Sequence, residues 1–228
     1  MSFAMHNATL ELRPANIVSN DELERLCANM SQGLHALAQP LTIVRSAVAA
    51  LAAPGIATQK QRRYLELCTQ HVERTCDLFE SMQELVSASH IDPDCEPIDL
   101  REALGSVLED RKASLRASGI ELLIELPKML PLVLGDIKRT HQALSAALDC
   151  AVSISSPGDY IELRVSIHNE FVELNLQNSG IRDRAIQATH RLKLTLAEVN
   201  IRSQHGKYEC VEYPFEVFIA LPLQEGLP

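Results

Sequence analysis

Tryptophan is absent, and four tyrosines and five phenylalanines are the only aromatic residues, so the interleaving of aromatic and basic side chains that tracks nucleic acid is missing. An excess of base is missing too. Thirty acids stand against 21 bases, a net charge of −9, whereas a phosphate backbone must be met by a basic face. No apolar run approaches the ~20 residues that cross a bilayer. The opening MSFAMHNATLELRP has no cationic end followed by an apolar stretch, so the chain reads as soluble and cytoplasmic. Six cysteines (Cys27, Cys68, Cys76, Cys95, Cys150, Cys210) lack the spacing of a disulfide framework, which predicts reduced thiols buried as small hydrophobes. Cys68, His71 and Cys76 lie close together, but no second ligand pair completes a metal site. What remains is a folding composition, 46% hydrophobic and 22% charged over 228 residues, enough for two domains without a metal or disulfide staple.

The clearest pattern begins near residue 19, after a lead-in over 1–18. Leu23, Cys27, Met30, Leu34, Leu37, Leu41, Val44, Val48 and Leu51 alternate spacings of four and three, a heptad seam that predicts a helix of roughly thirty residues. Ser19 with Glu22 forms a capping box at its start, and Pro54-Gly55 ends it. Thr58 and Gln61 repeat the capping pattern before a second seam through Leu65, Cys68, Val72, Phe79, Met82 and Val86, which stops before Asp92-Pro93. Two such helices over 19–93 make an antiparallel hairpin whose narrow seams need a partner, and a homodimer closing a four-helix bundle supplies it.

From 97 to 228 the pattern turns mixed. Asp99 caps a helix carrying Leu100, Leu104, Val107, Leu108 and Leu115, and Gly119 closes it. Residues 120–126 read as a strand, Asp136 to about Ser155 as a helix, 160–168 and 171–178 as a hairpin turning at Asn169-Glu170, 183–203 as a helix, and 208–213 with 215–223 as a last strand pair. The fold class is α+β, a helical hairpin followed by a two-layer sandwich.

His35 is the residue with chemistry. With Leu34 and Leu37 in the seam it falls just outside, facing water, where an imidazole titrates near its reference value of ~6.5 and is largely neutral and nucleophilic. Ala38, Gln39, Thr42 and Ser46 continue the same outer stripe with side chains small or polar enough to let another protein approach. Pro40 interrupts the helical hydrogen bonds just after it, which predicts a bend there.

His35-Ala36-Leu37-Ala38-Gln39-Pro40-Leu41-Thr42 resembles the phosphoacceptor box of two-component sensor histidine kinases. The segment from Val133-Leu134-Gly135-Asp136 through Arg139 and Gln142 to Leu148-Asp149-Cys150-Ala151 is similar to the asparagine box of their ATP-binding domain, and Asn175 to Ile181 resembles its first glycine box. The resemblance spans about residues 20–223 and implies a dimerisation hairpin plus an ATPase-like domain. It also implies losses. Ala36 replaces the acid after the histidine. Cys150 replaces the magnesium-binding asparagine, Ser153 a basic residue, Asn178 the adenine-binding aspartate and Arg182 a glycine. No second glycine-rich loop lies between Arg184 and Gln204 to close over a triphosphate.

The resemblance therefore implies a histidine phosphotransfer protein on a degenerate kinase scaffold. His35 would accept and donate phosphate, Gln39 would be an auxiliary at the position where kinases orient water, and a response-regulator receiver would dock at Ala38, Gln39, Thr42 and Ser46. No cofactor is expected on the chain itself, the receiver bringing its own magnesium. The alternative is a pseudokinase scaffold that binds a regulator or sensor without transferring phosphate.

Overall fold

The computed structural model describes residues 20–52, 58–180 and 186–224, without the side chains of 20–33, 35, 36, 89 and 90. The lead-in, the capping residue Ser19, Pro54-Gly55, Arg182 and the side chain of His35 thus lie outside the described residues. Two long helices, α1 (Asn20–Leu51) and α2 (Thr58–His90), pair antiparallel, with the Cys68 thiol 3.9 Å from the Val44 carbonyl across the hairpin. Thr58 is the first helical residue rather than the cap.

The seam divides into two stripes. Leu37, Val44 and Leu51 are half-buried, while Leu34, Leu41 and Val48 on α1, with Leu65, Val72, Phe79 and Val86 on α2, stand exposed at seven-residue intervals. A hairpin has one inner face, so a heptad wider than that face leaves the remainder outside.

The second unit runs β1 (Glu96–Ile98), α3 (Leu100–Ser118), β2 (Glu121–Glu125), β3 (Val133–Gly135), α4 (Ile137–Ile154), β4 (Tyr160–His168), β5 (Phe171–Asn178), α5 (Ala188–Ser203), β6 (Lys207–Glu212) and β7 (Phe215–Pro222). Asp99 caps α3 by accepting from the Arg101 and Glu102 amides at 2.8 and 3.3 Å, and Gly119, at φ 63°, takes the left-handed turn that returns its own N–H to the helix. Asp136 caps α4 by accepting from the Arg139 amide at 3.0 Å.

The main sheet has the order β2-β4-β5-β7-β6, with β2 parallel to β4 and the other pairs antiparallel. The β4–β5 hairpin turns where expected, with Asn169 at φ 52°. Alternation puts Ile161, Leu163 and Val165, then Val172, Leu174 and Leu176, then Val217 and Ile219 under α3 and α4, against Leu104, Val107, Leu144 and Leu148. The opposite face is polar, with Glu216 accepting from Asn175 at 2.5 Å and Gln177 at 2.9 Å.

Three expectations are corrected. The helix read from 183 begins at Ala188, with Ile186 and Gln187 outside it. Strands β1 and β3, three residues each, form an antiparallel pair that the sequence reading lacked. The cysteines are free, as expected of those described, but only Cys150 is buried; Cys68 and Cys95 are half-buried, and Cys76 and Cys210 are exposed. Helix α1 is continuous through Pro40.

Candidate phosphoacceptor face and nucleotide site

Ala38, Gln39, Thr42 and Ser46 are all exposed on α1, in the stripe that the helical period assigns them. The Thr42 hydroxyl donates to the Ala38 carbonyl at 2.8 Å and the Ser46 hydroxyl to the Thr42 carbonyl at 2.9 Å. Both hydroxyls are thus tied to their own helix, leaving a low, smooth surface with Gln39 as its reaching side chain. Pro40 is buried instead. Leu37, on another flank of α1, packs with Leu78, Met82 and Leu85 of α2 and Leu192 and Leu196 of α5. One side of this segment is therefore filled by the sandwich while the stripe through Ala38, Gln39, Thr42 and Ser46 stays open.

The positions that match the kinase nucleotide site are turned inward. Cys150 is fully buried on α4, and burial above all, helped by Cys210, Glu212 and Asp149, pushes its thiol up to about 12. A neutral, enclosed thiol offers nothing to a hard cation. The Ser153 hydroxyl donates to the Cys150 carbonyl at 2.8 Å. Asn178, nearly buried, donates from Nδ2 to the Ser155 hydroxyl at 2.8 Å and accepts from the Gly180 amide at 2.6 Å. The Ser155 hydroxyl in turn donates to the Ala151 carbonyl at 2.7 Å. The end of β5 is thereby stitched to the end of α4, and Asn178 serves the fold with the atoms that a purine would have needed.

Returning Asn178 to aspartate removes the donor that Ser155 now satisfies and leaves a carboxylate where a neutral amide fitted. We expect Asn178→Asp to lower stability by about 1–3 kcal/mol, read from urea denaturation. The double variant Cys150→Asn with Asn178→Asp should bind magnesium-ATP no better than the parent in calorimetry, because no second glycine-rich loop lies between Arg184 and Gln204.

Sequence reasoning passed over several polar residues. His190, near the start of α5, is half-buried with Nδ1 lacking a hydrogen-bond partner, and burial, with Lys193 and Arg74 adding to it against Asp149, holds it below its ordinary 6.5. An unfolded His190 takes its proton as pH falls through that ordinary value, while the folded one resists until a lower pH. Its contribution to stability is complete above 6.5 and lost as pH falls through the window beneath. His190→Gln should flatten the loss of stability between about pH 7.5 and about pH 5.5, measured as urea midpoints. Arg139 and Gln142, named only within the segment that resembles the asparagine box, and Asn200, not singled out at all, lie between the hairpin and the sandwich, a role that no sequence period announces.

No family model matches the chain, and no curated protein matches it by sequence. Solved structures do. The Acinetobacter baumannii histidine kinase AdeS superposes with a TM-score of 0.67 at 17% identity, over 84% of this chain and 98% of that one. Histidine kinase ThkA, solved in complex with response regulator protein TrrA, gives 0.70 at 15% identity, and full-length ShkA in complex with AMPPNP gives 0.61 at 15%. Each of these two matches covers 90% of this chain, which spans 64% of the ThkA chain and 47% of the ShkA chain. A helical hairpin joined to a sandwich of this strand order is the histidine-kinase fold, and this chain has it, with Cys150 and Asn178 absorbed into the packing where the resemblance places the residues that hold a nucleotide.

Proposed function

We propose that this chain is a histidine phosphotransfer protein of a two-component phosphorelay, acting in the cytoplasm through His35 without autokinase activity. The observation that carries the reading is the asymmetry between the two sites: the α1 face at Ala38, Gln39, Thr42 and Ser46 is open, whereas Cys150 and Asn178 are closed into the fold. Phosphoryl transfer from ATP depends on magnesium and preorganised donors around the departing phosphates. Transfer from a phosphorylated receiver depends on less from this chain. A neutral ring nitrogen of His35 attacks the phosphorus of the receiver's phosphoaspartate, the N–P bond forms as the P–O bond breaks, and the carboxylate leaves. The receiver supplies the magnesium for both directions. That ThkA was solved with a response regulator supports a receiver as the partner.

The working form in this reading is a homodimer. Leu34, Leu41 and Val48 with Leu65, Val72, Phe79 and Val86 form an exposed heptad stripe along both helices, which a second copy covers to complete a four-helix bundle. Each such side chain is worth about 1.5–3 kcal/mol when fully buried. Leu41→Glu combined with Phe79→Glu should convert the dimer to monomer in light scattering coupled to size exclusion.

The test of function is transfer of label. Incubated with a radiolabelled phosphorylated receiver, the chain should acquire acid-labile, alkali-stable phosphate; incubated with labelled ATP and magnesium alone, it should acquire none. Binding of receivers without any label transfer would favour the scaffold reading, and labelling by ATP would overturn the loss of kinase activity.

A further inference from the structure

The hairpin and the sandwich meet over more than a linker. Leu78 and Leu85 of α2 are closed off from solvent against Leu192 and Leu196 of α5, with Met82 and Leu37 filling the sides. Polar groups lock the same joint. The Arg139 guanidinium, on α4, donates to the Ala88 carbonyl at 3.4 Å and to the Ile91 carbonyl at 2.5 Å, gripping the end of α2 where the helix dipole is negative. It also donates to the Ser203 hydroxyl of α5 at 2.8 Å and lies 3.7 Å from the Asp136 carboxylate. That carboxylate accepts from the Asp94 amide at 3.3 Å, so the connecting segment is tied to the sandwich as well. A relay of amides completes the contact: Gln142 of α4 donates to Glu84 of α2 at 2.9 Å, and the buried Asn200 of α5 donates to Gln142 at 3.1 Å.

A domain that delivers a nucleotide's phosphate to a histidine and then clears the way for another protein has to move. A domain with no nucleotide to deliver is free of that requirement. We infer that the hairpin and the sandwich of this chain form one non-articulating unit, locked by Arg139 across the end of α2 and by the leucine contact between α2 and α5. The sandwich then acts as a fixed wall beside α1, leaving one constant face at Ala38, Gln39, Thr42 and Ser46 for a partner. Only this last consequence rests on the relay reading; the lock itself does not.

The chain provides its own labelling sites, because Cys76 on α2 and Cys210 on β6 are exposed, one in each unit. With Cys27, Cys68 and Cys95 changed to serine, spin labels on Cys76 and Cys210 report the distance between the units, labelled chains being diluted into unlabelled ones so that only the pair within a chain is read. One narrow distance distribution is expected, unchanged by magnesium-ATP and broadened by Arg139→Gln; Leu196→Asp should broaden it further if that variant folds. A broad or two-peaked distribution in the parent overturns the inference, and so does a narrow one that Arg139→Gln leaves untouched. Transfer of label to His35 is measured separately: its failure alongside a narrow distribution would remove the relay reading and leave the lock standing.

Discussion

His35→Ala should abolish the acceptance of phosphate from a phosphorylated receiver, a loss of at least about 10³-fold, while the proposed dimer and its unfolding midpoint stay where they were. The size of the effect follows from the chemistry having one nucleophile and no substitute close by. The hydroxyls of Thr42 and Ser46 on the same stripe donate to carbonyls of their own helix and are unactivated at neutral pH. Ala36, Ala38 and Pro40 offer no side-chain donor or base. Gln39 is exposed and amide-bearing, so it can orient water but cannot carry the phosphoryl group. Gln39→Ala is therefore the companion measurement: it should accept label within about threefold of the parent, and any change should fall on the rate at which phosphate is lost to water. The heptad reading expects His35 outside the seam, where replacement by alanine changes stability by only about 0.5 kcal/mol, so a His35→Ala protein that fails to dimerise would point to a structural role for the histidine.

Much of the architecture is written in local signals. Asp99, Gly119 and Asp136 mark helix ends because a cap is decided by one side chain and the few backbone groups beside it. Strands β4 and β5 were legible because one face is buried and the other polar, giving a clean period of two. The stripe from Ala38 to Ser46 was legible for the same reason in a helix. Elements that depend on distant partners were not. Strands β1 and β3 are three residues long and exist through each other, across 34 residues of intervening chain. The heptad seam read on α2 ran through Phe79, Met82 and Val86 and left out Leu78 and Leu85, which pack against α5, because a strict heptad follows one stripe and does not show a second contact beside it. Cys76 and Cys210 defeated a composition argument because free cysteine is usually buried but nothing obliges it to be. Cys150 and Asn178 were recognisable as departures, yet the hydrogen bonds that make Asn178 structural join β5 to α4 and carry no sequence signature.

Arg139→Ala is expected to give the largest loss of stability among the polar residues considered, about 3–5 kcal/mol, seen as a lower urea midpoint for the whole chain. Its side chain is almost enclosed, and of the groups it serves the Asp136 carboxylate is largely buried and Ala88 and Ser203 are half-buried. The carbonyls of Ala88 and Ile91 and the Ser203 hydroxyl each lose a donor, and the largely buried Asp136 carboxylate loses its cation. Leaving the partly buried acceptors and the Asp136 carboxylate unmet is what makes truncation expensive, more than the worth of the contacts themselves. Asp136 keeps two of its bonds, from the Arg139 and Asp94 amides, which holds the estimate below that for an entirely stranded charge. Arg139→Lys separates charge from geometry: an ammonium can answer Asp136 but lacks the planar fork that reaches two carbonyls and a hydroxyl at once, so it should recover less than half of the loss. Arg139→Met tests the converse, since an apolar side chain of similar length restores packing without any donor, and it should resemble alanine if the hydrogen bonds dominate. A lysine variant as stable as the parent would show that charge alone holds the joint and that the fork at the end of α2 contributes little.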